Sequence, residues 1–288
     1  MIKPFLLFFT ATCLLSTAAP VDVYLFGGQS NMQGIGKIAE LGQEDKKAIP
    51  NARFFNGTSF TPITPGTTKT SHRKGEFGPE IGFARWMSQH DQSVHIIKYA
   101  ASGMPLHHGW NGNRWQGGVP TPKRRNFYPG LSDQDPNQGT LYRAMIKRFQ
   151  QGVENLKKQG HTPVIKGFVW VQGEQDSKHE ISASQYAKSI LHLRQRIAED
   201  MDCPMLPMAL PQVLPHEPAK DRFTHRKEIR AELQALKHTR IQVIDSADWP
   251  LKADTVHYNA QGQLALGKAM AKALFELQKA SSAPDPSR

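Results

Sequence analysis

Apolar and polar positions follow two kinds of pattern along the chain. Short apolar runs predict strands at residues 21–26, 94–101, 165–171, 205–210 and 241–245. Longer stretches, in which apolar residues recur every three or four positions, predict helices at residues 80–90, 140–158, 184–199, 222–237 and 260–279. Strands that alternate with helices are typical of a parallel sheet covered on both faces. The pattern therefore predicts an α/β fold, a three-layer α/β/α sandwich with a mainly parallel central sheet.

The N-terminal residues have the pattern of a signal peptide. Lys3 precedes an apolar run at residues 4–15, and Ser16 and Ala18 supply the small residues of a cleavage site. The run is too short to span a bilayer, so no stable membrane anchor is predicted. We therefore predict a signal peptide at residues 1–18 and a secreted or periplasmic protein.

The rest of the chain has the composition of one domain. No repeat, internal linker or change in composition divides residues 19–280, and their number suits a single α/β domain. Cys13 lies within the predicted signal, so cleavage would leave Cys203 without a disulfide partner. Export without disulfides favours a bacterial periplasm or exterior. The segment 281–288 is polar and contains two prolines, which predicts a disordered tail.

The formal net charge of +11 raises the question of a polyanionic partner. Basic residues are scattered through the predicted helices beside Glu and Gln, as on a solvated surface. The one tight cluster, Lys123-Arg124-Arg125, lies in a long loop. An acidic glycan is the favoured partner of this cluster, and no nucleic acid is predicted, because an exported protein has little access to it.

A glycine-rich turn with a serine follows the first predicted strand directly. Residues 27–34 read Gly-Gly-Gln-Ser-Asn-Met-Gln-Gly. Ser30 would lie at the carboxyl edge of the sheet, where open α/β folds bind ligands. If a helix follows, its positive N-terminal end favours an alkoxide or an oxyanion near Ser30. The alternative is that Ser30 only caps that helix.

An acidic residue and a histidine follow the last predicted strand. Asp254 lies three residues before His257, so its carboxylate can accept the Nδ1 proton. Nε2 is then free to take a proton from a serine. Asp-x-x-His pairs are common and usually without such a role. Here, however, the strand at 241–245 brings the pair to the sheet edge of Ser30, and the combination indicates nucleophilic catalysis.

Four short stretches carry a family resemblance, in the family's order and over nearly the whole mature chain. They are Gly28-Gln29-Ser30-Asn31-Met32, Ala101-Ser102-Gly103, Trp170-Val171-Gln172-Gly173-Glu174-Gln175-Asp176 and Asp254-Thr255-Val256-His257, with a weaker fifth at Phe77-Gly78-Pro79-Glu80-Ile81-Gly82. The chain resembles the SGNH hydrolases, and among them the sialate O-acetylesterase-like carbohydrate esterases of carbohydrate esterase family six. The resemblance implies the flavodoxin-like SGNH fold. It also implies removal of acetyl groups from a carbohydrate, either a sialic acid or an acetylated polysaccharide such as xylan.

The resemblance also implies roles for single residues. Ser30 corresponds to the nucleophile and His257 to the base. Asp254 is the preferred acid beside His257, and Glu174 is a secondary candidate. Glu174 and Asp176 could also pass for the paired carboxylates of a glycosidase. For Asp176, hydrogen bonds that organise a loop are the simpler interpretation.

An oxyanion hole is implied by the same stretches. Its donors would be the backbone N–H groups of Ser30 and Gly103 and the side-chain amide of Gln172. Gln29 and Asn31 flank the serine and are predicted to contact the substrate.

A long loop at residues 104–138 follows Gly103 and is rich in aromatic residues. Long irregular loops in compact domains tend to be functional, and Trp rings suit stacking on sugars. We therefore predict that His107, Trp110 and Trp115 bind substrate; the alternative is a small satellite core under the loop. His107-His108 has no third ligand at metal spacing, so neither a metal nor another cofactor is predicted.

Two other functions remain open from the sequence. One is a different SGNH activity, such as a lipase, thioesterase or aryl esterase, which a broad apolar groove would favour. The other is a non-catalytic carbohydrate-binding protein, which loss of Ser30 or His257 would indicate. The sequence makes no prediction of the sugar, the acetyl position or the oligomeric state.

Overall fold

The computed structural model describes residues 20–90, 92–218 and 221–282. The predicted signal peptide at 1–18 and the last part of the predicted tail, 283–288, lie outside the described residues. The strands are β1 (Pro20–Gly28), β2 (Gly36–Lys37), β3 (Ala52–Phe55), β4 (Phe60–Pro62), β5 (Glu76–Phe77), β6 (Val94–Ala100), β7 (Trp110–Asn111), β8 (Arg114–Trp115), β9 (Thr162–Val171), β10 (Met208–Pro211) and β11 (Ile241–Ile244). The α-helices are α1 (Ser30–Gln33), α2 (Glu80–Ser88), α3 (Thr140–Lys158), α4 (Glu180–Ser184), α5 (Tyr186–Asp200), α6 (Arg226–Ala235) and α7 (Ala260–Ser282).

A seven-stranded sheet in the order β11-β10-β9-β1-β6-β3-β4 forms the centre of the described residues. Neighbouring strands run parallel except β3 and β4, which are antiparallel. Within this sheet, β6, β3 and β4 lie on one side of β1, and β9, β10 and β11 lie on the other. In open α/β sheets, ligands bind at the carboxyl ends of the strands where the order of addition reverses. That point lies between β1 and β9.

The core consists of two apolar layers, one on each face of the sheet. Along β1, Val23 and Leu25 face the layer formed with α3, α5 and α6, whereas Tyr24 and Phe26 face α2 and α7. This alternation follows from the twofold period of a strand that is buried on both sides. The predicted three-layer α/β/α sandwich with a mainly parallel sheet is confirmed.

The predicted elements are present with small differences in their bounds. Helix α3 begins and ends where the sequence predicts, while α6 is shorter than the predicted 222–237. Helix α7 continues to Ser282, past the predicted start of the tail at 281. Strands β3 and β4 were not predicted, because a four-residue and a three-residue edge strand have too few positions to show a period. Among the described residues, no helix is long and apolar enough to cross a membrane.

His95 in β6 is a buried histidine, with 7% of its surface exposed. Its ring packs edge-on against Phe60, with 5.3 Å between the ring centroids. Burial lowers the pKa of His95 from 6.5 to about 4, because the charged imidazolium would lose its hydration. A proton therefore binds the unfolded chain more tightly than the folded one.

We expect acid to destabilise the fold through His95. The contribution is fully present above pH 6.5, the unfolded value, and is lost as the pH falls towards the folded value of about 4. The loss in the free energy of unfolding should be about 2 kcal/mol at pH 4.5, because this pH still lies above the folded pKa and water screens part of the effect. Urea unfolding at pH 7.5 and pH 4.5 measures it. His95→Gln should reduce the difference, while the exposed His216→Gln should not; equal differences in both variants would contradict the assignment.

Candidate active site

Ser30 lies at the junction of β1 and α1, on the carboxyl edge of the sheet. Strand β1 ends at Gly28, and the N–H of Gln29 donates to the carbonyl of Val171 at 2.9 Å. Gly28 has a φ of +149°, and a Cβ at this position would lie 2.1 Å from the Val171 oxygen. Only glycine allows this close approach of β1 and β9, which places Ser30 beside the residues that follow β9.

Ser30, His257 and Asp254 form one hydrogen-bonded chain. Nε2 of His257 lies 2.9 Å from Oγ of Ser30, and Nδ1 lies 2.7 Å from Oδ2 of Asp254. The second carboxylate oxygen of Asp254 accepts the backbone N–H groups of Val256 and His257 at 3.0 and 2.9 Å. The loop thus closes around its own carboxylate and holds the imidazole towards the serine.

The environment of Asp254 keeps its carboxyl group ionised. Partial burial acts to raise the pKa of Asp254. The hydrogen bonds from the His257 ring and from the two backbone N–H groups outweigh burial and hold the pKa below its usual range. An ionised carboxylate at Nδ1 leaves Nε2 as the nitrogen that accepts a proton.

Asn31 connects the serine segment to two other parts of the site. Its Nδ2 donates to Oε1 of Glu174 at 2.9 Å and to the carbonyl of Val256 at 3.1 Å, and its Oδ1 accepts the N–H of Tyr258 at 3.1 Å. Both amide hydrogens are therefore used within the protein. Asn31 therefore holds the His257 loop against α1, and its contact with a substrate stays a prediction.

Glu174, the acidic partner of Asn31, is buried. It accepts from Asn31, and burial raises the pKa of its carboxyl group. Because Asp254 already occupies Nδ1 of His257, the geometry favours Asp254 over Glu174 as the acid of the site.

The side chain of Gln172 is hydrogen-bonded within the protein. Its Nε2 donates to the buried carboxylate of Asp176 at 2.5 Å and to the carbonyl of Met104 at 3.3 Å. Its Oε1 accepts the hydroxyl of Tyr186 at 3.0 Å. Both amide hydrogens are thus bonded within the protein in this arrangement, and the role of Gln172 as an oxyanion donor stays a prediction. The backbone N–H groups of Ser30 and Gly103 remain as candidate donors.

Asp176 organises the start of the aromatic loop. It is fully buried and accepts the N–H groups of Leu106 and His107 at 2.8 and 2.9 Å, in addition to the amide of Gln172. Because Leu106 lies three residues after Gly103, these bonds also hold the segment that carries the Gly103 N–H. The interpretation of Asp176 as a loop-organising residue agrees with this arrangement.

The aromatic residues of the loop pack on one another and not around Ser30. Trp110 is 4% exposed and donates Nε1 to Oγ of Ser182, while Trp115 stacks on His179 with 3.7 Å between ring centroids. The His107 ring lies 5.5 Å from that of Trp115. Trp110 thus packs in a satellite core with α4, which the partly buried Trp115 joins, and substrate binding by His107, Trp110 and Trp115 stays a prediction.

Two cavities meet at Ser30. The larger is a cleft of about 620 Å³ that also contains His257 and Asp254. The smaller is a recess of about 180 Å³ lined by Gln29, Gly103 and Val256, and the contact of Gln29 with a substrate stays a prediction. The larger cleft has a cationic rim, which consists of Lys37, Arg73, Arg125 and Lys252, with His72 beside it.

Most of the cationic rim was missed from the sequence. Of its members, only Arg125 belongs to the basic cluster noted there. His72 and Arg73 lie in a second basic stretch, residues 69–74, which was the available signal. Lys37 and Lys252 are isolated in sequence and reach the rim only through the fold. In the part of the chain that the structure describes, no group of three or more His, Cys, Asp or Glu is arranged to hold a metal.

Comparison with known families agrees with this geometry. The family model described as carbohydrate esterase, sialic acid-specific acetylesterase, matches residues 20–276. The chain belongs to this family. It is therefore a carboxylic ester hydrolase that acts on acetylated carbohydrates. A comparison with curated proteins found no match.

Solved structures with the same fold support the family's architecture. A protein from Arabidopsis thaliana has a TM-score of 0.65 at 18% identity, over 89% of this chain and 98% of that one. NanS has a TM-score of 0.59 at 14% identity, over 93% and 100% of the two chains. A carbohydrate acetylesterase from Xanthomonas citri has a TM-score of 0.57 at 18% identity, over 91% of this chain and 57% of that one. At these identities the likeness establishes the fold.

We expect Asp254→Asn to reduce kcat by about 10⁴-fold, the loss found when the equivalent acid of a serine protease is neutralised. Glu174→Gln should reduce kcat by roughly tenfold or less, since Asp254 is the acid bonded to the His257 ring and Gln can still bond to Asn31. Steady-state kinetics with a chromogenic acetate would measure both, after circular dichroism has shown that each variant is folded. A larger loss in Glu174→Gln than in Asp254→Asn would assign the acid to Glu174.

Proposed function

We propose that the protein removes O-acetyl groups from an anionic carbohydrate through an acyl-enzyme on Ser30. The observation that carries this proposal is the hydrogen-bonded chain from Ser30 Oγ through His257 to Asp254 at the mouth of a polar cleft. This arrangement supplies a nucleophile, a base and a carboxylate that orients the base. The predicted signal peptide at 1–18 favours action outside the cytoplasm.

The first half of the reaction would form the acyl-enzyme. Nε2 of His257 takes the hydroxyl proton of Ser30, and Oγ attacks the carbonyl carbon of the acetyl ester. The backbone N–H groups of Ser30 and Gly103 donate to the resulting oxyanion. His257 then gives its proton to the sugar oxygen, which leaves as an alcohol, and the acetyl group remains on Oγ.

The second half would release acetate. Nε2 of His257 takes a proton from a water molecule, whose oxygen attacks the acetyl carbon. The bond to Oγ breaks, His257 returns the proton to Ser30, and acetate leaves. The ionised Asp254 stabilises the imidazolium that forms in each half.

The charge around the larger cleft favours an acidic sugar over a neutral one. Lys37 and Arg73 share the carboxylate of Glu76, at 2.6 and 4.0 Å. Among the described residues, no acidic group lies within 4 Å of the charged atoms of Arg125 or Lys252, so neither forms an ion pair, and both line the cleft. A carboxylate on the substrate would complement them. This supports a sialic acid or another acidic glycan over xylan.

The two alternative functions find less support in the site. A lipase needs a broad apolar groove for a long acyl chain, whereas the larger cleft is lined mainly by polar and charged residues and the recess is small. A non-catalytic binding protein has no need of an oriented nucleophile and base. The Ser30–His257 hydrogen bond therefore favours catalysis.

We expect Ser30→Ala and His257→Ala each to abolish most acetate release from O-acetylated sialic acid and from a chromogenic acetate. Because the residues act as a unit, the double variant should be little slower than either single one. Losses that multiply would contradict the shared mechanism. A chromogenic acetate should also be hydrolysed faster than its long-chain analogues, and the reverse preference would favour the lipase.

We expect Arg125→Gln and Lys252→Gln to weaken activity on acidic substrates alone. Each change should lower kcat/KM for an acetylated acidic sugar by roughly two- to fivefold, the scale of one exposed charge contact. Added salt should also lower kcat/KM of the wild-type protein for the acetylated acidic sugar. The chromogenic acetate should be unaffected, and Lys147→Gln, an exposed lysine of α3, serves as the control. Equal losses on charged and neutral acetates would contradict an electrostatic role for the rim.

A further inference from the structure

A buried ion pair lies directly beneath the segment that carries Ser30. Lys98 in β6 places its Nζ 2.7 Å from Oε2 of Glu80, the first residue of α2. The side chains are 6% and 0% exposed, respectively. Burial acts to lower the pKa of the Lys98 ammonium, and the Glu80 carboxylate opposes that shift. Neither residue lines the cleft or the recess.

The ammonium of Lys98 also binds the helix that begins at Ser30. Its Nζ donates to the carbonyls of Met32 and Gln33, at 3.3 and 3.2 Å. These are the last two carbonyls of α1, and no further turn of helix follows to satisfy them. A cation at the C-terminal end of a helix satisfies such carbonyls and interacts favourably with the helix dipole.

Glu80 connects the same segment to a second part of the backbone. Its Oε1 accepts the N–H of Gly78 at 2.8 Å, which fixes the turn before α2. Gly34, the residue after α1, lies against this turn, and a Cβ on Gly34 would be 2.2 Å from the Gly78 nitrogen. The pair therefore holds the C-terminal end of α1 between β6 and the start of α2.

Stability alone gives little reason for charges at this place. Moving two charges out of water costs free energy that their attraction rarely more than repays, and a well-packed apolar pair is often as stable. An ion pair with several directed hydrogen bonds does, however, fix the position of the groups that it binds. Here those groups are the carbonyls two and three residues after Ser30.

We infer that the Lys98–Glu80 pair is a positioning element for the nucleophile, which holds the four-residue helix so that Ser30 Oγ meets His257 Nε2. The inference rests on the proposed function, because it assigns the pair a part in acyl transfer. Misplacement of a reacting group by about 1 Å can cost on the order of 10²-fold in rate. Release of the α1 carbonyls should thus slow the attack by Ser30 and leave substrate binding nearly unchanged.

The test compares this pair with a second buried ion pair far from the site. Lys98→Met removes the charge and keeps the length of the side chain. Arg196→Met is the matched control, since Arg196 and Asp200 on α5 form an ion pair with side chains 7% and 8% exposed. For each folded variant, kcat and KM are measured with a chromogenic acetate. The rate at which a p-nitrophenyl phosphonate modifies Ser30 reports on the nucleophile independently of turnover.

For Lys98→Met we expect kcat to fall by roughly 10- to 100-fold, KM to change less than twofold, and phosphonylation of Ser30 to slow in parallel. Arg196→Met should lower the thermal midpoint while kcat stays within twofold. If Lys98→Met does not fold, Lys98→Met/Glu80→Gln leaves no unpaired buried charge and should fold with the same loss in kcat.

Several results would overturn the inference. They are a wild-type kcat in any folded Lys98 variant, an equal loss of kcat in Arg196→Met, a rise in KM without a loss in kcat, or failure of both Lys98 variants to fold. Absence of turnover in the wild-type protein, on every acetate tested, would instead count against the proposed esterase function.

Discussion

The parallel pairing of β1 with β9 is the constraint on which the candidate site depends. The two strands pair up to Gly28 and Val171, with one shift of register after Val23, and the backbone contact between Gln29 and Val171 continues the pairing by one residue. Ser30 and the segment after β9 therefore leave the sheet side by side. The His257 loop lies at the same edge, and Asn31 joins all three segments through one side chain.

Buried polar groups hold the backbone at this edge in place, and exposed charged groups line the cleft next to it. Asp176, Gln172 and Tyr186 hold the loop that follows Gly103, while Lys98 and Glu80 hold α1. These buried groups bond to other groups of the protein, so they restrict the movement of the segments that carry Ser30 and Gly103. The cationic rim lies in contact with solvent, where we propose that it binds the substrate. The proposed site is thus divided between residues that position and residues that bind.

The sequence predicted the elements and the chemistry well where the signal was local. Residues 140–158 form a long amphipathic helix, and its bounds agree with those predicted. Asp254 and His257 share one short loop, so their spacing alone indicated the hydrogen bond that is observed. Side chains whose partners lie far away in sequence were predicted less well. The Gln172 amide could donate to an oxyanion or to Asp176, and nothing in the residues around Gln172 indicates which of the two partners it bonds.

By itself, the sequence determined the α/β class, the order of the four family-like stretches, the serine at a strand end and the acid beside the histidine. These follow from periodicity, turn composition and short spacings, which act within a few residues of the chain. Only the tertiary structure decided that Gln172 and Asn31 are used internally, that Trp110 and Trp115 form a satellite core, and that Lys37, Arg73 and Lys252 share one rim. Each of these outcomes depends on competition among distant partners for the same hydrogen bonds, apolar surface or space, and that competition takes place only once the sheet has assembled.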